Sequence, residues 1–314
     1  MHILISDKVS PKCPQILKQA GHEVDEISGL SPKELKAIIG SYHGLIVRSA
    51  TKVTSDILQM AKNLQVIGRA GSGVDNIDVE AATAKDVLVM NTPGGNSNAV
   101  AELTLSFILC LSRDLYSATS SLKDERWEKK KFRGTEITDK TLGIIGYGRV
   151  SRLLAQKCKA LGMHVFCYDP KINKDIVDND SLQILSALET VLSCSHYISV
   201  HLNKREETTN FIAKAQFEQM NDGAYFINTS RGGIVNEDDL LWALGEGIIA
   251  RAAIDVYDVE PPTQFSLIQH PHVTCTPHIG ASTQEAQENV AVRIADQMVD
   301  MFAGKAIQNA VNQI

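Results

Sequence analysis

Residues 142–151, LGIIGYGRVS, indicate the fold of the part of the chain that contains them. A short run of aliphatic residues ends in two closely spaced glycines and leads into a helical pattern, which predicts a strand, a tight turn and a helix. The spacing is that of G-x-G-x-x-G, with Ser151 in place of the third glycine. In that motif the first glycine permits the turn, the second lets the backbone approach a pyrophosphate, and the third serves helix packing. We therefore expect Ser151 to cost some packing closeness without abolishing a nucleotide site.

An acidic residue about 20 positions after the turn is the second sign of a dinucleotide site, because its carboxylate binds ribose hydroxyls. Asp169 ends the next predicted strand, residues 164–169, at about that distance. A carboxylate at this place repels a 2′-phosphate, so the sequence predicts NAD rather than NADP as the cofactor. Gly146, Gly148 and Asp169 are the contacts that the motif predicts.

The rest of the chain repeats the alternation of short apolar runs and helical patterns, which is typical of parallel sheets with crossover helices. The predicted strands form two blocks, at 2–6, 44–47, 64–68 and 87–91, and at 142–146, 164–169, 197–202, 224–230, 250–256 and 272–278. A buried helix at 99–112 and a polar segment separate them. The fold class is therefore α/β, with two doubly wound parallel-sheet domains. An amphipathic helix from Ser282, ended by Gly304, favours a return to the first block, although spacing alone leaves this open.

Composition and charge narrow the class of protein. At 314 residues, with 44% hydrophobic and 22% charged residues, the chain has an ordinary globular composition. Its net charge of -6 disfavours a nucleic-acid partner, and no apolar run is long enough to span a membrane. The six cysteines form no C-x-x-C pair, and the start of the chain has no pattern of a signal peptide. We expect a reduced cytoplasmic protein that binds a small molecule, with no metal, nucleic-acid or membrane partner.

In open parallel sheets, ligands bind beyond the carboxyl ends of the strands. In the second block these positions hold Gly146, Asp169, His201, Arg231, Asp255 and His278. Arg231, in NTSRGG, can hold a carboxylate through its guanidinium, although a surface arginine in a turn is the alternative. His278, in TPHIG, can serve as a general acid-base, although a structural histidine is the alternative. Glu260, held before two prolines, would orient this imidazole, and we expect the two side chains to touch.

The first block has its own polar strand ends. Arg48 follows GLIV and Arg69 follows LQVIG, with Gly71, Ser72 and Gly73 immediately after. Two arginines at neighbouring strand ends beside a glycine-rich turn predict an anion site, although each alone could be a solvated charge. Together with the arginine of NTSRGG they imply a substrate that bears more than one negative group.

These segments resemble the D-isomer-specific 2-hydroxyacid dehydrogenases over nearly the whole chain. NTSRGG, the DVxxxEP pattern and PHIGAS carry the catalytic arginine, glutamate and histidine of that family, here Arg231, Glu260 and His278. The other segments that carry the resemblance are VRSAT (47–51), GRAGSGVDNID (68–78), MNTPGGNSNAVAEL (90–103), WEKKKFRGTE (127–136) and LGIIGYGR (142–149). By resemblance, the cofactor contacts fall on Ser72, Gly146, Gly148, Arg149, Val150, Asp169, Leu202, Thr229, Ser230, Asp255 and Gly280. By resemblance, the substrate contacts fall on Arg48, Arg69, Ser72, Gly73, Lys131 and Arg133.

The resemblance also implies an architecture and an assembly. It implies a Rossmann NAD-binding domain, residues 96–282, inserted in a flavodoxin-like substrate-binding domain made of residues 1–95 and 283–314. It implies a homodimer or homotetramer formed through the inserted domain, in which the basic segment 129–133 reaches the substrate of a neighbouring subunit. The chain resembles the short form of the family, which lacks a C-terminal regulatory domain.

The expected reaction is NAD-dependent oxidation of a phosphorylated 2-hydroxy acid at C2. By resemblance, the segments VRSAT, GRAG and WEKKKFRGTE distinguish the branch of the family that acts on phosphorylated acids from its glyoxylate and lactate relatives. A general 2-hydroxyacid dehydrogenase or glyoxylate and hydroxypyruvate reductase is one alternative, and it would share the catalytic residues without a phosphate site. A corepressor-like protein that senses NAD is the alternative from a different class.

Overall fold

The computed structural model describes residues 1–169, 171, 183–184 and 187–314, with only the backbone of residues 183–184. By its internal contacts the chain divides into two compact units, Met1–Asn96 with Ala281–Ile314 (unit 1) and Ser97–Gly280 (unit 2). Each unit contains one sheet, and all the paired strands in both sheets are parallel. The predicted α/β class with two doubly wound sheets is confirmed. The assignment of one unit to substrate and the other to the dinucleotide stays a prediction.

Unit 1 contains a five-stranded sheet in the order β2-β1-β3-β4-β5, which is the flavodoxin-like order. Its strands are β1 (His2–Ile5), β2 (Glu23–Glu26), β3 (Gly44–Val47), β4 (Val66–Arg69) and β5 (Leu88–Met90). Its helices are α1 (Lys12–Gln19), α2 (Pro32–Ile38), α3 (Ser55–Met60), α4 (Val79–Thr83) and α11 (Gln284–Phe302), with a 3-10 turn at Ile39–Ser41.

The last helix, α11, packs on the sheet of unit 1 through Val290, Ile294 and Met298, which are buried with Ile46 of β3. The sheet has a glycine where this helix approaches most closely. A Cβ added to Gly68 would lie 2.8 Å from Cγ1 of Ile294. The chain therefore returns to the first block after the second, as the sequence favoured.

Unit 2 contains a seven-stranded sheet in the order β12-β11-β10-β9-β6-β7-β8. Counted from β6, this is the Rossmann order 3-2-1-4-5-6 with one further strand at the edge. Its strands are β6 (Thr141–Ile145), β7 (His164–Tyr168), β8 (Gln183–Ile184), β9 (Tyr197–Val200), β10 (Ala224–Asn228), β11 (Ile249–Ile254) and β12 (Val273–Cys275). Its described helices are α5 (Ser97–Arg113), α6 (Leu115–Lys123), α7 (Arg149–Ala160), α8 (Leu188–Cys194), α9 (Lys214–Phe217) and α10 (Glu237–Gly245), with 3-10 turns at Lys129–Lys131 and Glu206–Thr208.

A partly buried ion pair fixes the junction between α5 and α6. Asp114 lies between the two helices in the left-handed backbone region, with φ 49°. Its carboxylate accepts two hydrogen bonds from the guanidinium of Arg251 on β11, at 2.7 and 2.6 Å. This fork-like pairing ties the start of α6 to the sheet.

Among the described residues, no helix combines the length and the apolar character that crossing a bilayer requires.

Candidate active site

The glycine turn after β6 has the backbone geometry that the sequence predicted. Gly146 has φ 95°, and an added Cβ would lie 2.7 Å from the carbonyl oxygen of His201, so a side chain there would clash. Gly148 caps α7, and an added Cβ would have no atom within 4 Å, so the backbone at the start of this helix is open to a ligand. Backbone N–H groups at a helix N-terminus attract phosphate groups.

Asp169 lies directly beside this turn. Its carboxylate accepts a hydrogen bond from the backbone N–H of Tyr147 at 2.8 Å and another from the backbone N–H of Lys171 at 2.8 Å. A carboxylate has about four lone-pair sites, so these bonds leave capacity for ribose hydroxyls. The turn, the helix N-terminus and this carboxylate therefore fit an adenine dinucleotide without a 2′-phosphate.

Ser151, the departure from the motif, lies on α7 and is fully buried. Its Oγ donates a hydrogen bond of 2.6 Å to the carbonyl oxygen of Gly146, in a buried place where such bonds are costly to lose. A glycine at this position could not make that bond. The serine therefore ties the helix to the turn that precedes it.

A partly buried histidine lies at the end of β9. His201 follows β9, and its Nε2 lies 2.8 Å from the hydroxyl oxygen of Ser199. Burial lowers the pKa of His201 to about 4, so this imidazole is neutral near pH 7. Leu202, a predicted cofactor contact, comes next and approaches the glycine turn, since its Cδ2 lies 3.1 Å from a Cβ added to Gly146.

Arg231 is held in a loop that the side chain of Asn228 organises. Oδ1 of Asn228 accepts from the backbone N–H and the hydroxyl of Ser230, and its Nδ2 donates to the carbonyl of Arg231. The guanidinium of Arg231 donates to the carbonyl of Ser230 at 2.7 Å. The hydroxyl of Thr229 pairs with that of Thr104 on α5 at 2.8 Å. A Cβ on Gly232 would lie 1.7 Å from the carbonyl oxygen of Tyr257, so only glycine fits after the arginine.

Glu260 and His278 touch, as the sequence led us to expect. Nδ1 of His278 lies 2.7 Å from Oε2 of Glu260, and the backbone N–H of Tyr257 donates to the other carboxylate oxygen at 3.1 Å. Burial alone would raise the pKa of Glu260, but the hydrogen bond and the charge of His278 outweigh it and the pKa is lowered. The pair therefore holds a carboxylate against a half-exposed imidazole.

His278 adopts a backbone conformation that is uncommon for a residue with a side chain, with φ 51°. The carboxylate of Asp255, which is buried, holds the surrounding loop in place. It accepts from the hydroxyl of Thr276 and from the backbone N–H groups of Ile279 and Gly280, at 2.7 and 2.8 Å for the two backbone bonds. Burial raises the pKa of Asp255, and these three bonds oppose the rise. Sequence reasoning placed Asp255 among the cofactor contacts and missed its contacts with the histidine loop.

The predicted anion-binding residues of the first block lie at neighbouring strand ends of unit 1. Arg69 ends β4 opposite Val47 of β3, and Arg48 follows that residue. The guanidinium of Arg69 lies over Gly71, where an added Cβ would come within 1.3 Å of Nη1. The hydroxyl of Ser72 donates to Oδ1 of Asn96 at 2.8 Å. The two arginines therefore lie at one edge of the sheet, together with the glycine-rich turn that contains Gly71, Ser72 and Gly73.

The basic segment of unit 2 contains one paired lysine. Nζ of Lys131 donates to Oε1 of Glu128 at 2.5 Å, and Arg126 pairs with the other oxygen of this carboxylate at 3.4 Å. Lys131 and Arg133 are both exposed.

In the described parts of the chain, no group of three or more histidine, cysteine, aspartate or glutamate residues could hold a metal ion.

Residues 105–280 match the family model described as "D-isomer specific 2-hydroxyacid dehydrogenase, NAD binding domain". The chain belongs to the D-isomer specific 2-hydroxyacid dehydrogenases. Curated relatives that carry the name D-3-phosphoglycerate dehydrogenase include those of Rattus norvegicus and Archaeoglobus fulgidus, which are 47% and 42% identical to it over 99% of its length. The chain spans 58% and 59% of these two proteins, less than two thirds of either.

A solved structure of similar shape is the NAD+-bound 3-phosphoglycerate dehydrogenase of Entamoeba histolytica. It is 29% identical, with a TM-score of 0.85, over 100% of this chain and 99% of that one. The fold and the family are thus shown by independent comparisons. The glycine turn, Arg231, Glu260 and His278 all lie within the residues that match the family model.

Proposed function

We propose that this protein is an NAD-dependent D-3-phosphoglycerate dehydrogenase, which oxidises 3-phospho-D-glycerate to 3-phosphooxypyruvate. This reaction is the first step of the phosphorylated route to serine. The main support for a dehydrogenase is the contact between His278 and Glu260. These two residues belong to the unit that also contains the dinucleotide turn and Arg231. Arg48 and Arg69, at neighbouring strand ends of unit 1, support the phosphorylated substrate. The names of the curated relatives support the same reaction.

In the proposed reaction, His278 takes the proton of the C2 hydroxyl as a general base. Its Nδ1 is engaged by Glu260, which leaves Nε2 as the ring nitrogen that exchanges a proton with the substrate. The carboxylate of Glu260 fixes the ring and stabilises the imidazolium that forms. Arg231 holds the substrate carboxylate by its guanidinium, which prevents rotation about the bond to C2.

The proposed cofactor contacts follow the geometry of unit 2. NAD, when bound, supplies the hydride acceptor. Gly146, Gly148 and the start of α7 would receive the pyrophosphate, and Asp169 would bind the adenosine ribose. Arg149, Val150, Leu202, Thr229, Ser230, Asp255 and Gly280 of unit 2, and Ser72 of unit 1, are the remaining proposed contacts. Gly73, Lys131 and Arg133 join Arg48, Arg69 and Ser72 as proposed substrate contacts.

The first experiment compares substrates in the direction of reduction, followed as loss of NADH absorbance. 3-Phosphooxypyruvate is measured beside hydroxypyruvate, glyoxylate and 2-oxoglutarate on one preparation. Hydroxypyruvate is the matched control, because it differs only by the phosphate. We expect kcat/KM for the phosphorylated acid to be several hundredfold higher, equivalent to about 3 to 4 kcal/mol of differential transition-state binding.

Other results of this comparison would change the proposal. Comparable rates for all four acids would leave a general 2-hydroxyacid dehydrogenase and remove the phosphate site. Binding of NADH without turnover of any 2-oxo acid would indicate a corepressor-like protein that senses NAD.

We also propose that the protein assembles as a homodimer or homotetramer through unit 2. Large apolar side chains are exposed along α5, α6 and the loop that follows, and contiguous exposed apolar surface is typical of interfaces. They are Leu109, Leu115, Tyr116, Leu122 and Trp127, the last 81% exposed. Light scattering should give two or four times the chain mass of 34.3 kDa, and Tyr116→Glu with Trp127→Glu should shift it towards one. A monomer at concentrations of tens of micromolar would contradict the proposal.

We propose a cytoplasmic location, which the unpaired state of all six cysteines supports. Recovery of the protein from a membrane or extracellular fraction after gentle lysis would contradict it.

A further inference from the structure

The loop of residues 48–51, which carries Arg48, is held by a buried carboxylate. Asp7 follows β1, the strand beside β3, and is 6% exposed. Its Oδ2 accepts from the backbone N–H of Arg48 at 2.6 Å and from that of Thr51 at 3.2 Å. Its Oδ1 accepts from the hydroxyl of Thr51 at 2.7 Å. One side chain thus binds the first and the last residue of the loop.

Asn76 binds the same two residues of the loop from their carbonyl side. Its Nδ2 donates to the carbonyl oxygen of Arg48 at 2.8 Å and to that of Thr51 at 2.6 Å. Asn76 belongs to the segment that follows Arg69, the second arginine of the proposed phosphate site. The two ends of the loop are therefore fixed at both their N–H and their C=O groups, by side chains from the segments that follow β1 and β4.

The segment after β1 also binds the guanidinium of Arg48. Its Nη1 donates to the carbonyl oxygen of Lys8 at 3.2 Å, and Lys8 follows Asp7 directly. A buried carboxylate is costly unless hydrogen bonds satisfy it, and here two backbone N–H groups and one hydroxyl do so. All three come from one loop, so the main effect of this carboxylate is to fix where Arg48 leaves the backbone.

We infer that Asp7 and Asn76 are positioning residues for the substrate phosphate. They hold the loop of residues 48–51 so that the guanidinium of Arg48 is presented in one place, at the sheet edge that also carries Arg69. The inference rests on the proposed function, since it takes the substrate to be phosphorylated. Neither side chain is assigned a contact with the substrate, so both act through the arginine. A displacement of about 1 Å in a positioned group can reduce a rate about a hundredfold.

The test uses isosteric and truncating variants of the two residues. Asp7→Ala removes both carboxylate oxygens and with them three hydrogen bonds, and Asn76→Asp places a carboxylate against two carbonyl oxygens. Both should raise KM for 3-phosphooxypyruvate by about tenfold or more. Both should leave kcat/KM for hydroxypyruvate and the Kd of NADH within about twofold. Hydroxypyruvate has no phosphate, and the pyrophosphate of NADH is proposed to bind at the glycine turn of unit 2.

Asp7→Asn is the conservative variant and should recover most of the affinity for the phosphorylated acid. Its amide oxygen can accept the two backbone N–H groups, and its amide nitrogen can donate to the hydroxyl of Thr51, which accepts as well as donates. Asn312→Ala is the matched control for loss of a buried amide in unit 1. It removes bonds to Val89, Val87 and Thr83. This control should lower Tm without changing the ratio of the two substrates.

Arg48→Ala separates failure of the inference from failure of the proposed function. If Arg48→Ala leaves the preference for the phosphorylated acid intact, the phosphate assignment itself is wrong. If it abolishes the preference while Asp7→Ala and Asn76→Asp do not, the inference alone is overturned. Equal losses with both acids in those two variants would show a merely structural role and would overturn it as well.

Discussion

Replacement of His278 by asparagine should lower kcat by about a thousandfold, which corresponds to about 4 kcal/mol of transition-state stabilisation. The reason is that asparagine can still bond to Glu260 but has no second nitrogen that exchanges a proton. Asparagine also tolerates the left-handed backbone region that this position requires, with φ 51°, so the loop should keep its shape. The measurement is steady-state reduction of 3-phosphooxypyruvate, with the Kd of NADH from fluorescence. That Kd should stay within about twofold.

His272 provides the matched control for this substitution. It is another exposed histidine of unit 2, and its Nδ1 bonds to the carbonyl oxygen of Ala250. His272→Asn should leave kcat and KM unchanged. Full activity in His278→Asn would remove this residue from the chemistry, and an equal loss of NADH affinity would make it a cofactor contact instead.

Joint replacement of Arg48 and Arg69 by glutamine should lower kcat/KM for 3-phosphooxypyruvate by several hundredfold, or about 3 to 4 kcal/mol. A guanidinium binds phosphate oxygens through two parallel N–H groups, and the double variant removes two such forks from one edge of the sheet. Turnover of hydroxypyruvate should change by less than about threefold, because this acid has no phosphate. The selectivity between the two acids is the measured quantity.

Lys36 gives a control for the loss of a surface cation in the same unit. Its ammonium pairs with Asp56 at the surface, so Lys36→Gln removes one cation without touching the strand ends. If that variant lost selectivity as well, the effect would come from net charge. If the double variant kept its preference for the phosphorylated acid, the phosphate would be bound by other residues.

The pattern of the sequence predicts the architecture because parallel strands buried on both faces leave continuous apolar runs. Strand β3, GLIV, is buried throughout and was predicted from that run. Strand β2, EVDE, was not predicted, since an edge strand with charged residues carries no apolar signal. The two-residue strand β8 is too short for any pattern. Helix α6 was not predicted, because its sequence, LYSATSSLK, is rich in residues with low helix propensity.

The sequence predicted which individual residues belong to the candidate site, because many of them directly follow a predicted strand. The pairing of Glu260 with His278 was expected because a carboxylate held before two prolines could orient the imidazole. The contacts of Asp7 with Thr51 and of Asp255 with Gly280 join residues far apart in the chain. No local pattern distinguishes such an aspartate from one that faces solvent, so those contacts required the structure.

Ser151 bears on how dinucleotide motifs are defined. A search pattern that demands three glycines would pass over this chain, although the turn and the helix keep the geometry that the glycines serve. The structure shows what the third position has to satisfy: a side chain small enough to be fully buried, with any polar atom bonded to the carbonyl of the first glycine. A search pattern that states this size and hydrogen-bonding condition for the third position, instead of requiring glycine, would admit serine and still exclude bulky side chains.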